Sequence, residues 1–299
     1  MGTWFIVQNP MSGIGIRSAA LVREVVEKRF TQEGVAYEFH QTTGEEDFPA
    51  MIADALSRGF DSFAAVGGDW TIAGIANGRV GTTHPLGIIP TGTGNGLARE
   101  LMIPFSLKKA LDLIFGEQTL RKIDLIEAKG KYHILNISIG FTANVIHETR
   151  HEEKRKLGIA AYFLSGLREI PKVEPIQLSI EVDGKRQDFN TAEVLLVNCA
   201  IFKDPIIGWF EEIKSDDGEL DLFIFPAVVP KNFLNTVWNF LRGRPKHDSR
   251  FHWIPVRESV KVESQEPVTV QSDGDSIGDT PVLIRLVPKA LNVIVPAQG

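Results

Sequence analysis

Hydrophobic residues along the first third of the chain come in two alternating rhythms. Thr3 to Gln8 is a short, continuous apolar run of the kind a strand buried on both faces needs, and it stops at Asn9-Pro10, where the proline ring removes a donor and forces a turn. From Ser18 to Phe30, Leu21, Val22, Val25, Val26 and Phe30 recur at helical spacing. Ala36 to Gln41 reads as a second strand. Thr42-Thr43-Gly44 follows it, then an acidic helix start at Glu45-Glu46-Asp47, with Phe48, Ile52, Ala55 and Leu56 as that helix's buried face. Ser62 to Val66 is a third strand and Leu86 to Ile89 a fourth. Strands alternating with helices predict an α/β domain with a mostly parallel sheet, whose ligands bind beyond the C-terminal ends of the strands.

Around Ile123-Asp124-Leu125 the rhythm changes. Lys122 to Ala128, Tyr132 to Ile139, Ile176 to Val182, Glu193 to Cys199 and Leu220 to Phe225 read as strands, with turns such as Asp183-Gly184 between them. Many strands without intervening helices predict a C-terminal β-sandwich domain. The expected division is residues 1–122 and 123–299, with Pro281 to Val295 as closing strands that bring residues 287–299 back to the first domain. The crevice between two such domains is where a substrate is expected. Two helical stretches interrupt the second half. One runs from Thr142 to Glu169, its charged segment 151–156 leading into apolar Leu157 to Leu167. The other, Lys231 to Leu241, places Phe233, Leu234, Val237, Trp238 and Leu241 on one face. Arg242, Arg244, Lys246, His247 and Arg250 follow it, with Phe251 and Trp253 beyond. Aromatic residues beside a basic cluster suit transient contact with an anionic membrane surface; an amphipathic helix packed on its own domain gives the same pattern.

A chain of 299 residues has room for one large or two modest domains, each with its own core. Hydrophobic content of 43% and charged content of 23% are those of an ordinary globular protein. A single cysteine, Cys199, excludes an internal disulfide, suits a reducing compartment and reads as a buried strand residue rather than a nucleophile. No apolar run approaches the ~18 residues a spanning helix needs, and the N-terminus opens directly into a strand, so a cytoplasmic protein is expected, peripheral to a membrane at most. Ile6 stands where a myristoylation signal wants Ser or Thr. A net charge of −6 argues against nucleic acid as a partner.

Candidate chemistry concentrates in two stretches, Val66-Gly67-Gly68-Asp69-Trp70-Thr71 and Ile89-Pro90-Thr91-Gly92-Thr93-Gly94-Asn95. Each is an apolar strand breaking into glycines and hydroxyl residues with a helix expected behind it. Glycine lets backbone N–H groups approach a ligand closely, and a helix N-terminus adds partial positive charge. Thr71, Thr91 and Thr93 add hydroxyl donors, and Asp69 adds a carboxylate. This is the composition of a phosphate-handling site. Any one of these motifs alone is more often an ordinary turn, and Ser12 and Thr42 alone read as helix caps.

Taken together and in order, Asn9-Pro10-Met11-Ser12-Gly13, Gly67-Gly68-Asp69-Trp70-Thr71 and Pro90-Thr91-Gly92-Thr93-Gly94-Asn95 resemble the Asn-Pro-x-Ser-Gly, Gly-Gly-Asp-Gly-Thr and Gly-Thr-x-Asn motifs of the diacylglycerol kinase catalytic family. That family is related to sphingosine and ceramide kinases, NAD kinases and phosphofructokinases. The resemblance implies an NAD kinase-like first domain and a site for ATP lined by Asn9, Pro10, Ser12, Gly13, Thr42, Gly67, Gly68, Asp69, Trp70, Thr71, Thr93 and Asn95. It extends to Asp216-Asp217-Gly218-Glu219-Leu220-Asp221, which resembles the family's Asp-Asp-Gly-x-Leu-Asp motif and implies Mg²⁺ held by the Asp217 carboxylate with carbonyls from Lys214 and Glu219. Without the resemblance this is a solvated Asp-Gly turn. Ser272-Asp273-Gly274-Asp275 resembles the family's Asp-Gly-Glu, so that Asp273 or Asp275 acts on the acceptor hydroxyl while Asp69 holds the triphosphate and its metal.

The chain departs from the family at Trp70, where Gly is usual, at Ala73-Gly74 in place of Asn-Glu, at Gly96 in place of Asp and at Asp275 in place of Glu. If position 70 needs φ > 0, a tryptophan there costs about 1–3 kcal/mol. The function implied is transfer of the γ-phosphoryl group of ATP to the hydroxyl of diacylglycerol or a related lipid. The alternatives are a silenced member that binds lipid or nucleotide, a sphingoid-base kinase, and a kinase of a soluble substrate such as NAD. A homodimer is compatible with the sequence.

Overall fold

The first strand, β1 (Trp4–Gln8), is buried at every position and has parallel neighbours along both its edges, as in a sheet whose two faces are both covered. This is seen in a computed structural model, which describes residues 2–13, 16–140, 175–199, 203–204, 207–208, 213–226 and 252–297. The expected helices over 142–169 and 231–241, with the basic cluster after the second, lie outside the described residues. The chain divides into two compact units, Met1–Asp124 with Pro288–Gly299, and Leu125–Val287.

In the first unit β1 is followed by α1 (Ile16–Gln32), β2 (Tyr37–Gln41), α2 (Phe48–Ser57), β3 (Ser62–Gly67), α3 (Asp69–Asn77), β4 (Leu86–Pro90), α4 (Gly96–Glu100), α5 (Leu107–Phe115) and β5 (Gln118–Ala128). Strands β4, β3, β1 and β2 lie side by side in that order and all parallel. The α/β alternation therefore produces the sheet that the pattern implied. On α1 the buried residues Ala19, Val22, Val26 and Phe30 follow helical spacing, whereas Leu21 is 61% exposed: at 100° per residue it falls outside that stripe. Phe30 and Phe115 close around Trp4, with ring centroids at 5.5 and 6.4 Å from the indole. The acidic start of α2 resolves into two devices. Asp47 caps the helix through the Ala50 N–H at 3.0 Å, while Glu46 turns back onto the preceding loop.

The described part of the second unit is built from strands, and its fold is a β-sandwich. They are β6 (Lys131–His133), β7 (Asn136–Gly140), β8 (Ile176–Val182), β9 (Lys185–Val197), β10 (Lys203–Asp204), β11 (Ile207–Gly208), β12 (Leu220–Pro226), β13 (His252–Val256), β14 (Ser259–Ser264), β15 (Thr269–Ser272), β16 (Asp275–Asp279) and β17 (Val282–Pro296), the last running on into the first unit. Neighbours pair antiparallel in the order β16-β15-β7-β9-β8-β14-β17, and β12 joins β9 to β13. Alternate residues of these strands, among them Ile137, Leu178, Val194, Leu222, Val260 and Ile284, form one apolar core. The β8–β9 hairpin turns on Asp183 and Gly184, both left-handed (φ 46° and 81°), which the right-handed twist of the paired strands favours. Cys199 is buried, as expected of a strand-end residue.

One reading needs correction here. Tyr132 to Ile139 is two strands rather than one, because the backbone N–H groups of Ile134, Leu135 and Asn136 turn to the carboxylate of Asp273 instead of to a partner strand. Trp253 is half-buried: its ring packs on Phe223 at 5.5 Å and its Nε1 donates to Asp221 at 2.6 Å, within its own domain.

Candidate active site

Three loops leave the C-terminal ends of β1, β3 and β4. Parallel pairing continues past the strands, with the N–H of Asn9 donating to the Val66 carbonyl at 3.0 Å and that of Thr91 to the Gly67 carbonyl at 2.9 Å. Thr42, at the end of β2, is buried and donates its N–H to Gln8. The first loop is a tight turn in which Pro10 and Met11 stand between Asn9 and Ser12. The Ser12 N–H returns to the Asn9 carbonyl, and the Asn9 side chain accepts the Met11 N–H.

The loops then meet one another directly. Ser12 Oγ and Thr91 Oγ1 share a hydrogen bond of 2.7 Å. Gly13 is left-handed (φ 52°), and a Cβ there would lie 2.5 Å from the Thr91 carbonyl oxygen. A Cβ on Gly92 would lie 2.5 Å from the Gly68 Cα, so the second and third loops cross backbone to backbone where no side chain fits. Asn95 is buried and left-handed (φ 50°). Its side chain accepts the Gly92 N–H at 3.0 Å and donates back to the Gly92 carbonyl at 2.6 Å, which locks the loop. Thr93 stands exposed at the tip of that loop. Helix α3 begins behind Gly68, a cap with no side chain across the helix end.

Asp69 links the start of α3 to the third loop. Its carboxylate accepts the N–H of Gly96 at 2.9 Å and of Leu97 at 3.2 Å, so it caps α4. Thr71 is fully buried; its Oγ1 has no partner among the described residues and rests against Gly67, where a Cβ would come within 2.1 Å of it. Trp70 is the second residue of α3, outside the left-handed region, so the strain that a positive φ would bring does not arise. Its ring, 39% exposed, packs edge-on to Phe48 with centroids 5.2 Å apart. The same Phe48 ring lies 2.6 Å from where a Cβ on Gly74 would stand, so Trp70 and Gly74, two of the departures from motif, form one packing unit through Phe48.

Two contributors carried no signal in the motifs. Arg99 donates its Nε to the Gly94 carbonyl at 3.0 Å from the α4 side of the loop. Glu46 grips Thr43 and Gly44, accepting both N–H groups and the Thr43 hydroxyl. Burial opposes its charge, but these donors outweigh it and hold the carboxyl below its ordinary pKa. The spacing of Thr43 and Glu46 was the available clue, since a carboxylate three residues after a threonine is a capping-box pattern.

In the second unit, Asp273 is left-handed (φ 49°) and its carboxylate accepts the N–H of Ile134 at 2.8 Å, Leu135 at 2.9 Å and Asn136 at 3.2 Å. Oδ1 takes two of these and Oδ2 one, which leaves a lone pair on Oδ2. Burial raises its pKa above the ordinary carboxylate range; the three N–H groups oppose the rise, and the charge of Asp275 adds to it. Asp275 itself is exposed. Farther along the same unit, Asp217 Oδ1 accepts the Glu219 N–H at 3.1 Å, while Arg257 holds the Glu219 carboxylate at 2.8 and 2.7 Å. Among the described residues no three His, Cys, Asp or Glu side chains converge on a metal position. A cation at this turn would be held by one carboxylate with backbone carbonyls and water, a hard-oxygen donor set of the kind that suits Mg²⁺.

Residues 3–128 match the diacylglycerol kinase catalytic domain, and residues 136–295 match the YegS C-terminal NAD kinase beta sandwich-like domain. The chain belongs to the diacylglycerol kinase family. It is 30% identical to a diacylglycerol kinase of Bacillus subtilis over 98% of this chain and 96% of the relative. It is also 31% identical to a probable lipid kinase YegS-like protein of Pseudomonas aeruginosa, over 86% of this chain and 83% of that one. A crystal structure of a diacylglycerol kinase from Bacillus anthracis is 25% identical and superposes with a TM-score of 0.76, covering 98% of this chain and 96% of that one. Lipid kinase is thus the class of its named relatives. No helix among the described residues is long and apolar enough to cross a membrane.

Proposed function

We propose that this chain is an ATP-dependent lipid kinase that transfers the γ-phosphoryl group to the hydroxyl of diacylglycerol or a related lipid. The observation that carries the reading is the crossing of Gly68 and Gly92 backbone to backbone beside the start of α3, where the cap Gly68 leaves the helix N–H groups without a side-chain cap. Gly13, Gly67, Gly68 and Gly92 bring the main chain up to the phosphates, and the Thr93 hydroxyl contacts them. Asn9, Pro10, Ser12 and Thr42 shape the loops around them, and the face of Trp70 that Phe48 leaves exposed borders the nucleotide. Asp69, Asn95 and Thr71 hold the loops in place; Asp69 acts by positioning, because its carboxylate is committed to α4.

In the transfer step the lipid hydroxyl oxygen forms a bond to the γ-phosphorus as the bond to the leaving ADP oxygen breaks. Asp273 takes the hydroxyl proton on the free lone pair of Oδ2. Its raised pKa makes it a better base than an ordinary carboxylate, and Asp275 sustains that shift. Asp217, with carbonyls of Lys214 and Glu219, would hold Mg²⁺, which supplies charge neutralisation when bound.

The decisive experiment follows label from the γ-phosphate of ATP into a panel of micellar lipids in the presence of Mg²⁺. Label on diacylglycerol supports the proposal, and label on a sphingoid base alone moves the substrate class. A second reading, a protein that binds without turnover, is favoured by one observation: Phe48 fills the space beside Gly74, so no side chain can stand there. Nucleotide binding with no label on any lipid would establish it.

A further inference from the structure

Helix α4 ends in a hydrogen-bonded reversal in which the Ile103 N–H returns to the Ala98 carbonyl at 2.8 Å and the Met102 N–H to the Arg99 carbonyl at 3.2 Å. This reversal needs one left-handed residue, a place where glycine is favoured, and here that residue is Met102 (φ 55°), whose side chain is 69% exposed. Three residues on, Phe105 is 47% exposed. The Arg99 guanidinium lies over the Phe105 ring, 4.8 Å from its centroid, and Lys108 and Lys109 follow on the outer side of α5. Between Arg99 and Lys109 the only acid is Glu100, and it is buried. Lys108 reaches Asp112 at 3.2 Å, but with 83% of its side chain exposed it stays accessible to a second anion. Two large apolar side chains projecting among three cations, with no exposed acid between them, match the boundary between acyl chains and anionic headgroups.

We infer that the 99–109 segment is a seat for an anionic bilayer surface, with Met102 and Phe105 entering the interface and Arg99, Lys108 and Lys109 meeting headgroup phosphates. The seat is joined to the candidate active site. The Arg99 side chain that covers Phe105 also donates its Nε to the carbonyl of Gly94 in the third loop. Seating Phe105 therefore fixes Arg99, and Arg99 fixes the loop. This gives the lipid kinase reading, on which it rests for its purpose, a means of favouring the enzyme at the surface that carries its substrate.

Cosedimentation with large unilamellar vesicles tests it, using phosphatidylglycerol mixed with phosphatidylcholine against phosphatidylcholine alone. The wild-type chain should bind the anionic vesicles about tenfold more tightly or better. The double variants Met102→Ser/Phe105→Ser and Lys108→Gln/Lys109→Gln should each lose about tenfold of that binding. The thermal midpoint of Lys108→Gln/Lys109→Gln should not move, since both side chains are exposed. On a short-chain, dispersed diacylglycerol, Lys108→Gln/Lys109→Gln should turn over within about twofold of wild type, because the interface is bypassed. Variant binding equal to wild type, or wild-type binding indifferent to phosphatidylglycerol, would overturn the inference. Vesicle binding that follows the variants without phosphate transfer to any lipid would leave the seat standing and remove the kinase reading; transfer with unaltered variant binding would do the reverse.

Discussion

Asp183 and Asp273 each accept three backbone N–H bonds, yet their pKa values move in opposite directions. For Asp183, burial pushes the carboxyl up, but the N–H groups of Arg257, Glu258 and Ser259 and the charge of Arg257 more than reverse it. Its folded pKa lies below the unfolded one, so its contribution is present above about pH 4 and lost as the pH falls through the folded value. Asp273 is more deeply buried and faces the charge of Asp275, and its pKa rises. Its contribution is present below about pH 4 and fades as the pH climbs through the raised value. If Asp273 is the base, Asp275→Asn should shift the acidic limb of the kcat/KM profile to lower pH, because a neighbouring negative charge is removed. Asp273→Asn should abolish turnover and also cost about 1–3 kcal/mol in thermal unfolding, since an amide nitrogen would face an N–H donor. Arg79 offers a separate test. It is fully buried, all three guanidinium nitrogens lack hydrogen-bond partners among the described residues, and burial lowers its pKa to about 9. Its described compensation is the Phe63 ring, 5.1 Å away. Arg79→Leu should therefore raise stability, by about 1–4 kcal/mol in calorimetry.

At the scale of elements, the loops after β3 and β4 are one object. Gly92→Ala would drive a Cβ to 2.5 Å from the Gly68 Cα, with backbone on both sides and nothing able to turn aside. The expected loss is about 1–3 kcal/mol of stability, together with nucleotide affinity measured by calorimetric titration. Helix α3 gives a prediction opposite to the one its motif invites. Restoring the family's glycine by Trp70→Gly relieves no strain, because the residue is already in right-handed helix; it removes the Phe48 contact and a better helix former. The thermal midpoint should fall by the equivalent of about 1–2 kcal/mol. The existence and type of these elements were legible from periodicity, since a 3.6-residue or continuous apolar pattern follows from which face is buried. The break at Ile134-Leu135 was not legible. It is imposed by a carboxylate far along the chain, and no local pattern encodes that partner.

For the whole molecule, the first unit is completed by the far end of the chain. Lys289 donates its N–H to Asp124 at 2.7 Å, Asn292 donates to the Thr83 carbonyl at 2.9 Å, and Val293 pairs with Leu86 on β4. Leu291, Val293, Ile294 and Val295 are buried there. Losing four such side chains, at about 1.5–3 kcal/mol each, is comparable to the 5–15 kcal/mol that typically holds a domain together. A chain truncated after Val287 should therefore lose the cooperative unfolding transition of the first unit in circular dichroism and be cut there by protease.

The sequence by itself determined the α/β and all-β halves, the order of the three glycine loops and the membership of the family, because each depends on local spacing and on residue types that permit close backbone approach. Only the tertiary structure decided what the acids do. Asp69 became a helix cap, Glu46 a loop clamp and Asp273 a carboxylate held by three amides, since the role of a charged group is set by the donors that folding brings to it. The same holds for Trp70, whose backbone conformation depends on where α3 begins, and for Met102 and Phe105, whose exposure no apolar count could separate from burial.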